Sequence, residues 1–212
     1  MLELGVKTLI SYLLGSLIGS LLLGQLRGVD IREHGSGNAG STNALRTQGW
    51  TFALGVLVID VGKALLAVGL LPGLALPLVG YDAGIDGEWL AVACAIAVVV
   101  GHVYPVWYEF RGGKGAATLL GAVAVLAPVT LLPILAVWLA CVAVTGYVGL
   151  GTVLGMASLP VYVACVWPGD TPLLVYGVVM AVFVAYTHRA NIRRMLDGNE
   201  NRARRLWLLR PR

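Results

Sequence analysis

The sequence predicts an all-α polytopic membrane protein with about seven transmembrane helical segments, two of them short, and three observations predict it. Of its 212 residues 58% are apolar and only 12% are charged, too few charges to cover a soluble core of that apolar content. The apolar residues fall in runs long enough to cross a hydrocarbon layer. The charged residues gather between those runs and at the C-terminal end. Mean hydropathy is +0.83. Disorder, a disulfide-rich secreted scaffold and a free cytosolic enzyme are poor readings of such a chain, and its length fits a single integral membrane domain over residues 1–212.

The first apolar run, residues 4–23, lacks a basic start and a small-x-small cleavage site, so it is expected to stay as a membrane helix rather than be removed as a signal peptide. Further spans are expected over 50–71 and 88–107. The loop between them carries Asp82, Asp86 and Glu88 and no Lys or Arg, which places it outside. The loop with Arg27, Arg32 and Arg46 and the loop with Arg111 and Lys114 then face the cytoplasm, and the N-terminus is outside. Between Leu119 and Thr187 the only charged residue is Asp170. Spans over 151–167 and 171–187 leave both ends of 119–146 on the inner side. That stretch reads as a hairpin of two short helices with Pro128 and Pro133 at its tip, or as two thinly spanning helices. Gly15-Ser16 with Gly19-Ser20, and Gly149, Gly151 and Gly155, are spaced for close helix packing in lipid.

A net charge of +4 suits anionic headgroups or an anionic substrate. Nucleic acid is set aside because eight of the fifteen cations are arginines between Arg189 and Arg212, a short tail beside an apolar run, as at a cytoplasmic membrane edge. Cys94, Cys141 and Cys165 lie inside apolar runs without paired spacing, so neither a metal site nor a disulfide framework is indicated.

Three polar clusters share the cytoplasmic side. The first, Gly35-Ser-Gly-Asn-Ala-Gly-Ser-Thr-Asn-Ala-Leu-Arg-Thr47, offers small residues, hydroxyls and amides suited to phosphate oxygens, or is simply a polar loop. The second joins Gly101-His-Val-Tyr-Pro105 to Phe110-Arg-Gly-Gly-Lys-Gly-Ala-Ala-Thr118. A glycine turn, a lysine and a helix start make an anion site, although Tyr108 stands where a Walker A loop needs glycine. Lys114 also reads as a cation snorkelling to headgroups, and His102 as a capping or core histidine. In the third cluster His188 and Asn191 share a helical face if the last span continues, with Arg189, Arg193 and Arg194 beside them and Gly198-Asn-Glu200 beyond. Asp60 and Lys63, at i, i+3 in mid-span, read as a buried structural pair or as a lysine lent to an anion pocket.

Ser36-Gly-Asn-Ala-Gly-Ser-Thr-Asn-Ala-Leu-Arg-Thr47, Gly101-His-Val-Tyr-Pro with Gly112-Gly-Lys-Gly-Ala-Ala-Thr118, and His188-Arg-Ala-Asn-Ile-Arg with Gly198-Asn-Glu200 together resemble the bacterial acyl-phosphate:glycerol-3-phosphate acyltransferases, over nearly the whole chain and in the right order. The resemblance implies a multi-pass bacterial inner-membrane enzyme. It would move an acyl chain from acyl phosphate to the 1-hydroxyl of glycerol 3-phosphate, giving lysophosphatidic acid and phosphate, the first step of phospholipid synthesis. It further implies no cofactor or metal, a monomer as a sufficient unit, and membrane lipids as its surroundings. Ser36, Gly37, Asn38 and Arg46, with Gly112, Gly113 and Lys114, would bind the phosphates of the two substrates. His188 and Asn191 would lie at the reacting hydroxyl, and Glu200 matches the terminal acid of the third motif. Ser36, Lys114, His188 and Asn191 are the expected catalytic residues.

The chain departs from the family at Gly146-Tyr-Val-Gly-Leu150, where an Arg-Tyr-x-Ser-Leu run is usual. One cation and one hydroxyl are lost there. Thr145 or Thr152 are the candidates to supply a donor instead, and a paralogue with another phospho-acceptor fits the same change. Acyl phosphate is already an activated anhydride, so no covalent intermediate is required. The task is to gather two anions and aim a hydroxyl at a carbonyl. The rival reading is a transporter or channel for an anionic solute, against which stands the confinement of the polar clusters to one face.

Overall fold

The computed structural model describes residues 1–204 and 206–209. Among the described residues there are helices and no strands, in two compact units, Met1–Leu126 and Ala127–Arg212. The core is apolar, as in a water-soluble fold, but large apolar side chains also face outward and several charged ones are buried. Leu54, Val58, Leu132 and Val182 are exposed, whereas Glu3, Lys7, Ser11, Asp60 and Lys63 are buried. A hydrocarbon solvent suits the first set, and the buried charges pair inside the protein, Lys7 with Glu3 and Lys63 with Asp60.

In the first unit, α1 (Leu2–Gly15) and α2 (Gly19–Gln25) meet at 50°, so the uninterrupted helix expected over 4–23 is broken. The two glycines draw the halves toward different neighbours. A Cβ on Gly15 would lie 2.2 Å from the carbonyl oxygen of Val98, and one on Gly19 would lie 2.9 Å from that of Val56. The break frees backbone groups that lipid cannot satisfy. Lys63 Nζ donates to the carbonyls of Gly15 and Leu17 at 2.9 Å each, and the Gly19 N–H donates to Asp60 Oδ1 at 3.1 Å. Lys63 Nζ is also 3.0 Å from Asp60 Oδ1 and 2.9 Å from His102 Nδ1. Of the two readings of Asp60 and Lys63, the structural pair is the one built.

The short α3 (Ser41–Gln48) leads into α4 (Trp50–Leu65). A π turn over Leu66–Leu70 and a 3₁₀ turn over Leu71–Gly73 extend α4 to a 24-residue candidate span, Trp50–Gly73. Asp86 caps α5 (Gly87–Val103), its Oδ1 accepting the Glu88 N–H at 2.7 Å, and the turn Val106–Tyr108 completes 22 residues. The unit ends with α6 (Ala116–Leu126), 11 residues long.

In the second unit, α7 (Leu131–Thr145) follows a 3₁₀ turn to give an 18-residue candidate span, Pro128–Thr145. Of the two short helices expected over 119–146, only α6 is short. Pro128 and Pro133 both sit in the opening turns of the second segment, where a missing N–H breaks no helical bond. The expected hairpin is divided, α6 closing the first unit and α7 opening the second. Gly146, at φ +78°, ends α7. The 19-residue α8 (Val148–Val166) packs Gly151 and Gly155 against the Trp138 and Ile134 carbonyls of α7. Asp170 earns its place in an apolar region as the cap of α9 (Thr171–Thr187), accepting the Leu173 N–H at 3.0 Å. The last helix, α10 (Arg189–Leu196), turns away from α9 by 52°, so the last span does not continue through His188. Among the described residues four helices are long and apolar enough to cross a membrane, or up to six if each bent pair is one span.

Candidate functional site

The first unit assembles its loop cluster around a residue that motif reading passed over. Asn43, on α3 and 1% exposed, donates from Nδ2 to the carbonyls of Ile31 and His34 at 3.0 and 2.9 Å, and its Oδ1 accepts the Ser36 N–H at 2.9 Å. One amide thus closes the loop that carries Ser36, Gly37 and Asn38. Ser20 Oγ pins the same loop by donating to the Ala39 carbonyl at 2.8 Å. Ser36 and Gly37 are exposed and Asn38 is half-buried, and Arg46 projects from α3 into the open.

Arg32 is the second residue missed, and it joins the first cluster to the second. Its guanidinium forks onto Asp30 (Nε to Oδ1 and Oδ2 at 3.0 Å, Nη2 to Oδ2 at 2.6 Å), while Nη1 donates to the carbonyls of Arg111 at 3.1 Å and Tyr108 at 3.3 Å. Hydrogen bonding from Arg32 holds the Asp30 carboxyl below its usual range, and the same bond raises the guanidinium. A cavity of about 230 Å³ opens beside this pair, between Leu21, Gln25 and Tyr108.

In the second cluster the glycine amides are already spent. Gly112 N–H donates to the Val103 carbonyl at 3.1 Å and Gly113 N–H to that of His102 at 3.0 Å. The expectation that these two N–H groups cradle a phosphate is therefore corrected: they close the end of α5 and fold the turn back onto it. Lys114 follows, half-buried, and Gly115 at φ +87° starts α6. His102 is 2% exposed, the core histidine among the readings above.

The second unit builds its own cluster at the bend between α9 and α10. His188 is 5% exposed, and its Nδ1 lies 2.9 Å from the Val184 carbonyl. A carbonyl only accepts, so Nδ1 is the donor in this contact. Asn191 donates from Nδ2 to Glu200 Oε1 at 2.8 Å, and Arg194 Nε donates to Oε2 at 2.7 Å. Glu200 is thereby a brace on Asn191. Gly149 packs closely against this arrangement, since a Cβ there would lie 3.1 Å from the Asn191 side chain.

The missing cation at Gly146 has a neighbour that local sequence did not reveal. Arg202 stacks on Tyr147 and Trp207, 4.5 and 4.2 Å from the ring centroids, and donates to the Tyr147 hydroxyl at 2.8 Å. Thr145 and Thr152 do not supply the lost donor, because each hydroxyl proton goes to a carbonyl four residues back, Cys141 at 2.7 Å and Val148 at 2.9 Å. Arg205, Arg210 and Arg212 of the basic tail lie outside the described residues.

Comparison with known proteins agrees with the motifs. Residues 6–198 match the glycerol-3-phosphate acyltransferase family. The glycerol-3-phosphate acyltransferase of Clostridioides difficile is 43% identical over 93% of this chain and 94% of its own. That of Geobacter sulfurreducens is 41% identical over 93% and 96%. Crystal structures of PlsY, an integral membrane glycerol 3-phosphate acyltransferase, share the fold at 32% identity, covering 94% of both chains. The TM-score is 0.80 for its glycerol 3-phosphate form and 0.77 for its lysophosphatidic acid form. With the family matched over 193 residues of aligned motifs and spans, from 6 to 198, the chain belongs to the glycerol-3-phosphate acyltransferases and is an all-helical, membrane-spanning member of them.

Proposed function

We propose that this protein transfers an acyl group from acyl phosphate to the 1-hydroxyl of glycerol 3-phosphate, with both reactants bound from the cytoplasmic side. Lys114 and Arg46 meet the two phosphate groups. Ser36, Gly37 and Asn38 contribute donors from the loop that Asn43 closes, and Gly112 and Gly113 set the turn that carries Lys114. His188 Nε2 accepts the hydroxyl proton as the glycerol oxygen attacks the acyl carbon. The bond from that carbon to the phosphate oxygen breaks, and inorganic phosphate leaves with the electron pair. Asn191, braced by Glu200, holds the attacking hydroxyl.

The observation that carries this reading is the His188 bond to Val184. Fixing Nδ1 as the donor to a carbonyl orients the ring, and in this reading Nε2 takes the role of base, a contribution of about 10²–10⁴ in rate. Since the leaving group is already good, positioning and charge neutralisation supply the rest.

The test is release of phosphate from a synthetic acyl phosphate by purified protein in detergent. Release is expected only when glycerol 3-phosphate is present, with acylated product in equal amount. Release without the acceptor makes the protein a hydrolase and ends the proposal. Lys114→Ala is expected to abolish transfer while the protein still inserts, and near-wild-type turnover would remove Lys114 from the site. His188→Gln is expected to lose at least about a hundredfold in kcat.

A further inference from the structure

The second glycine of the Gly112-Gly113-Lys114 turn is not required by its backbone angles. Neither Gly112 nor Gly113 has a positive φ, and both N–H groups are bonded to α5 carbonyls. What excludes a side chain at 113 is the imidazole of His102. A Cβ there would lie 2.1 Å from Nε2, 3.0 Å from Cδ2 and 3.1 Å from Cε1. At 112 the obstruction is of another kind, the His102 carbonyl oxygen at 2.1 Å and Pro105 Cδ at 2.7 Å.

The ring that occupies this space is itself immobilised. Its Nδ1 stands 2.9 Å from Lys63 Nζ and 3.4 Å from Asp60 Oδ1. Lys63 is held in turn by the Gly15 and Leu17 carbonyls at the break in the first span. A chain of direct contacts therefore runs from that break, through two buried charges and an imidazole, to the residue before Lys114. Adjacent Cα atoms are 3.8 Å apart, so displacing position 113 displaces Lys114 with it.

We infer that His102, anchored by Lys63 and Asp60, is a positioning residue for the reaction. Its ring sets the path of the glycine turn and so the placement of Lys114, and residue 113 is glycine to admit that ring. This rests on the reading that Lys114 meets a substrate phosphate.

The experiment is a set of variants, Gly112→Ala, Gly113→Ala and His102→Asn, with each glycine variant also made in the His102→Asn background. Melting temperature in detergent and the kinetics of acyl transfer are measured for all. His102→Asn keeps an oxygen near the Nδ1 position for Lys63 and removes the far side of the ring. Gly113→Ala is expected to cost about a hundredfold in kcat/KM in the wild-type background and less than about fivefold beside His102→Asn. Gly112→Ala, which meets backbone, stays equally damaging in both. His102→Asn alone is expected to raise KM for one of the two phosphate substrates, the one Lys114 meets, about tenfold with kcat held within about threefold, a split that simple loss of folded protein does not produce. An equal cost of Gly113→Ala in both backgrounds, or an unchanged KM for both substrates in His102→Asn, overturns the inference. The melting temperatures separate this from failure of the transferase reading. If the wild-type protein turns over no acyl phosphate, relief of the Gly113→Ala melting defect by His102→Asn still reports the ring contact, and only the link to catalysis is lost.

Discussion

Glu200 gives one carboxylate oxygen to Asn191 and the other to Arg194, and this decides which end of the Asn191 amide is committed to the protein. A glutamine at 200 keeps an acceptor for the Asn191 amide and loses the charged bond to Arg194. We therefore expect Glu200→Gln to fall about tenfold in kcat, the worth of one charge-assisted bond, and Glu200→Ala to fall to the level of Asn191→Ala. Steady-state kinetics of the three variants decide it, since a Glu200→Ala that stays well above Asn191→Ala means that Glu200 does not brace the amide. Asp30 and Arg32 make a case of different sign. Hydrogen bonds from Arg32 lower the Asp30 pKa, and a carboxyl with a lowered folded-state pKa binds fewer protons folded than unfolded. Its contribution is complete above the unfolded value of about 3.9 and fades as pH falls through the lower folded value. The wild-type protein should lose melting temperature over that acid range, and Asp30→Asn should melt lower at neutral pH with a flatter acid limb. Parallel limbs in the two proteins would show that the pair does not titrate with folding.

Between residues and spans, the break separating α1 from α2 is the element on which the first unit turns. Lys63 covers two carbonyls that no lipid or water would satisfy, and Asp60 takes the N–H that opens α2. Lys63→Met leaves Asp60 buried without its cation and the carbonyls bare, which we expect to cost about 3–5 kcal/mol and to show as a large fall in melting temperature. Asp60→Asn, which retains a side-chain oxygen for Gly19, should cost clearly less. Comparable melting of both variants would mean that the charge pair, not the backbone repair, carries the stability. The spans themselves were legible in the sequence because length and charge define them without reference to neighbours. Residues 50–71 and 171–187 were placed almost to the residue for that reason. The break was not legible as such, since Leu17 and Ile18 continue the apolar run and no proline interrupts it. Its signal lay elsewhere, in two Gly-Ser pairs four residues apart and in two charges at mid-membrane depth that had no ligand to explain them. The candidate site divides in the same way. Ser36, Lys114, His188 and Asn191 stand in contiguous motifs, so the sequence alone names them as candidates. Asn43, Arg32 and Arg202 act by reaching carbonyls or rings up to 79 residues away, and only a folded chain brings those together.

Across the whole molecule the distribution of charge sets an orientation that length alone leaves open. The loops after α2, after α5 and after α9 hold Arg27, Arg32, Arg111, Lys114 and the arginines from 189 onward, whereas the turns before α5 and before α9 hold Asp82, Asp86 and Asp170 with no Lys or Arg. Lys7, the lysine near the opposite end, is buried against Glu3 at 2.7 Å and adds nothing to the surface, and the exposed Met1 ammonium there is paired with Asp82. Under the positive-inside rule we propose that the basic loops remain in the cytoplasm, which would put every candidate phosphate ligand where water-soluble glycerol 3-phosphate is found. A chain freed of Cys94, Cys141 and Cys165 and carrying single cysteines tests this. Ala83→Cys and Gly169→Cys should react with an impermeant maleimide in intact cells. Thr42→Cys and Asn199→Cys should react only after the membrane is opened. Labelling of Thr42→Cys from outside would reverse the first unit, and labelling of Asn199→Cys would reverse the second. Either result alone would leave the two phosphate ligands and the histidine base on opposite sides of the bilayer, with no reaction between them.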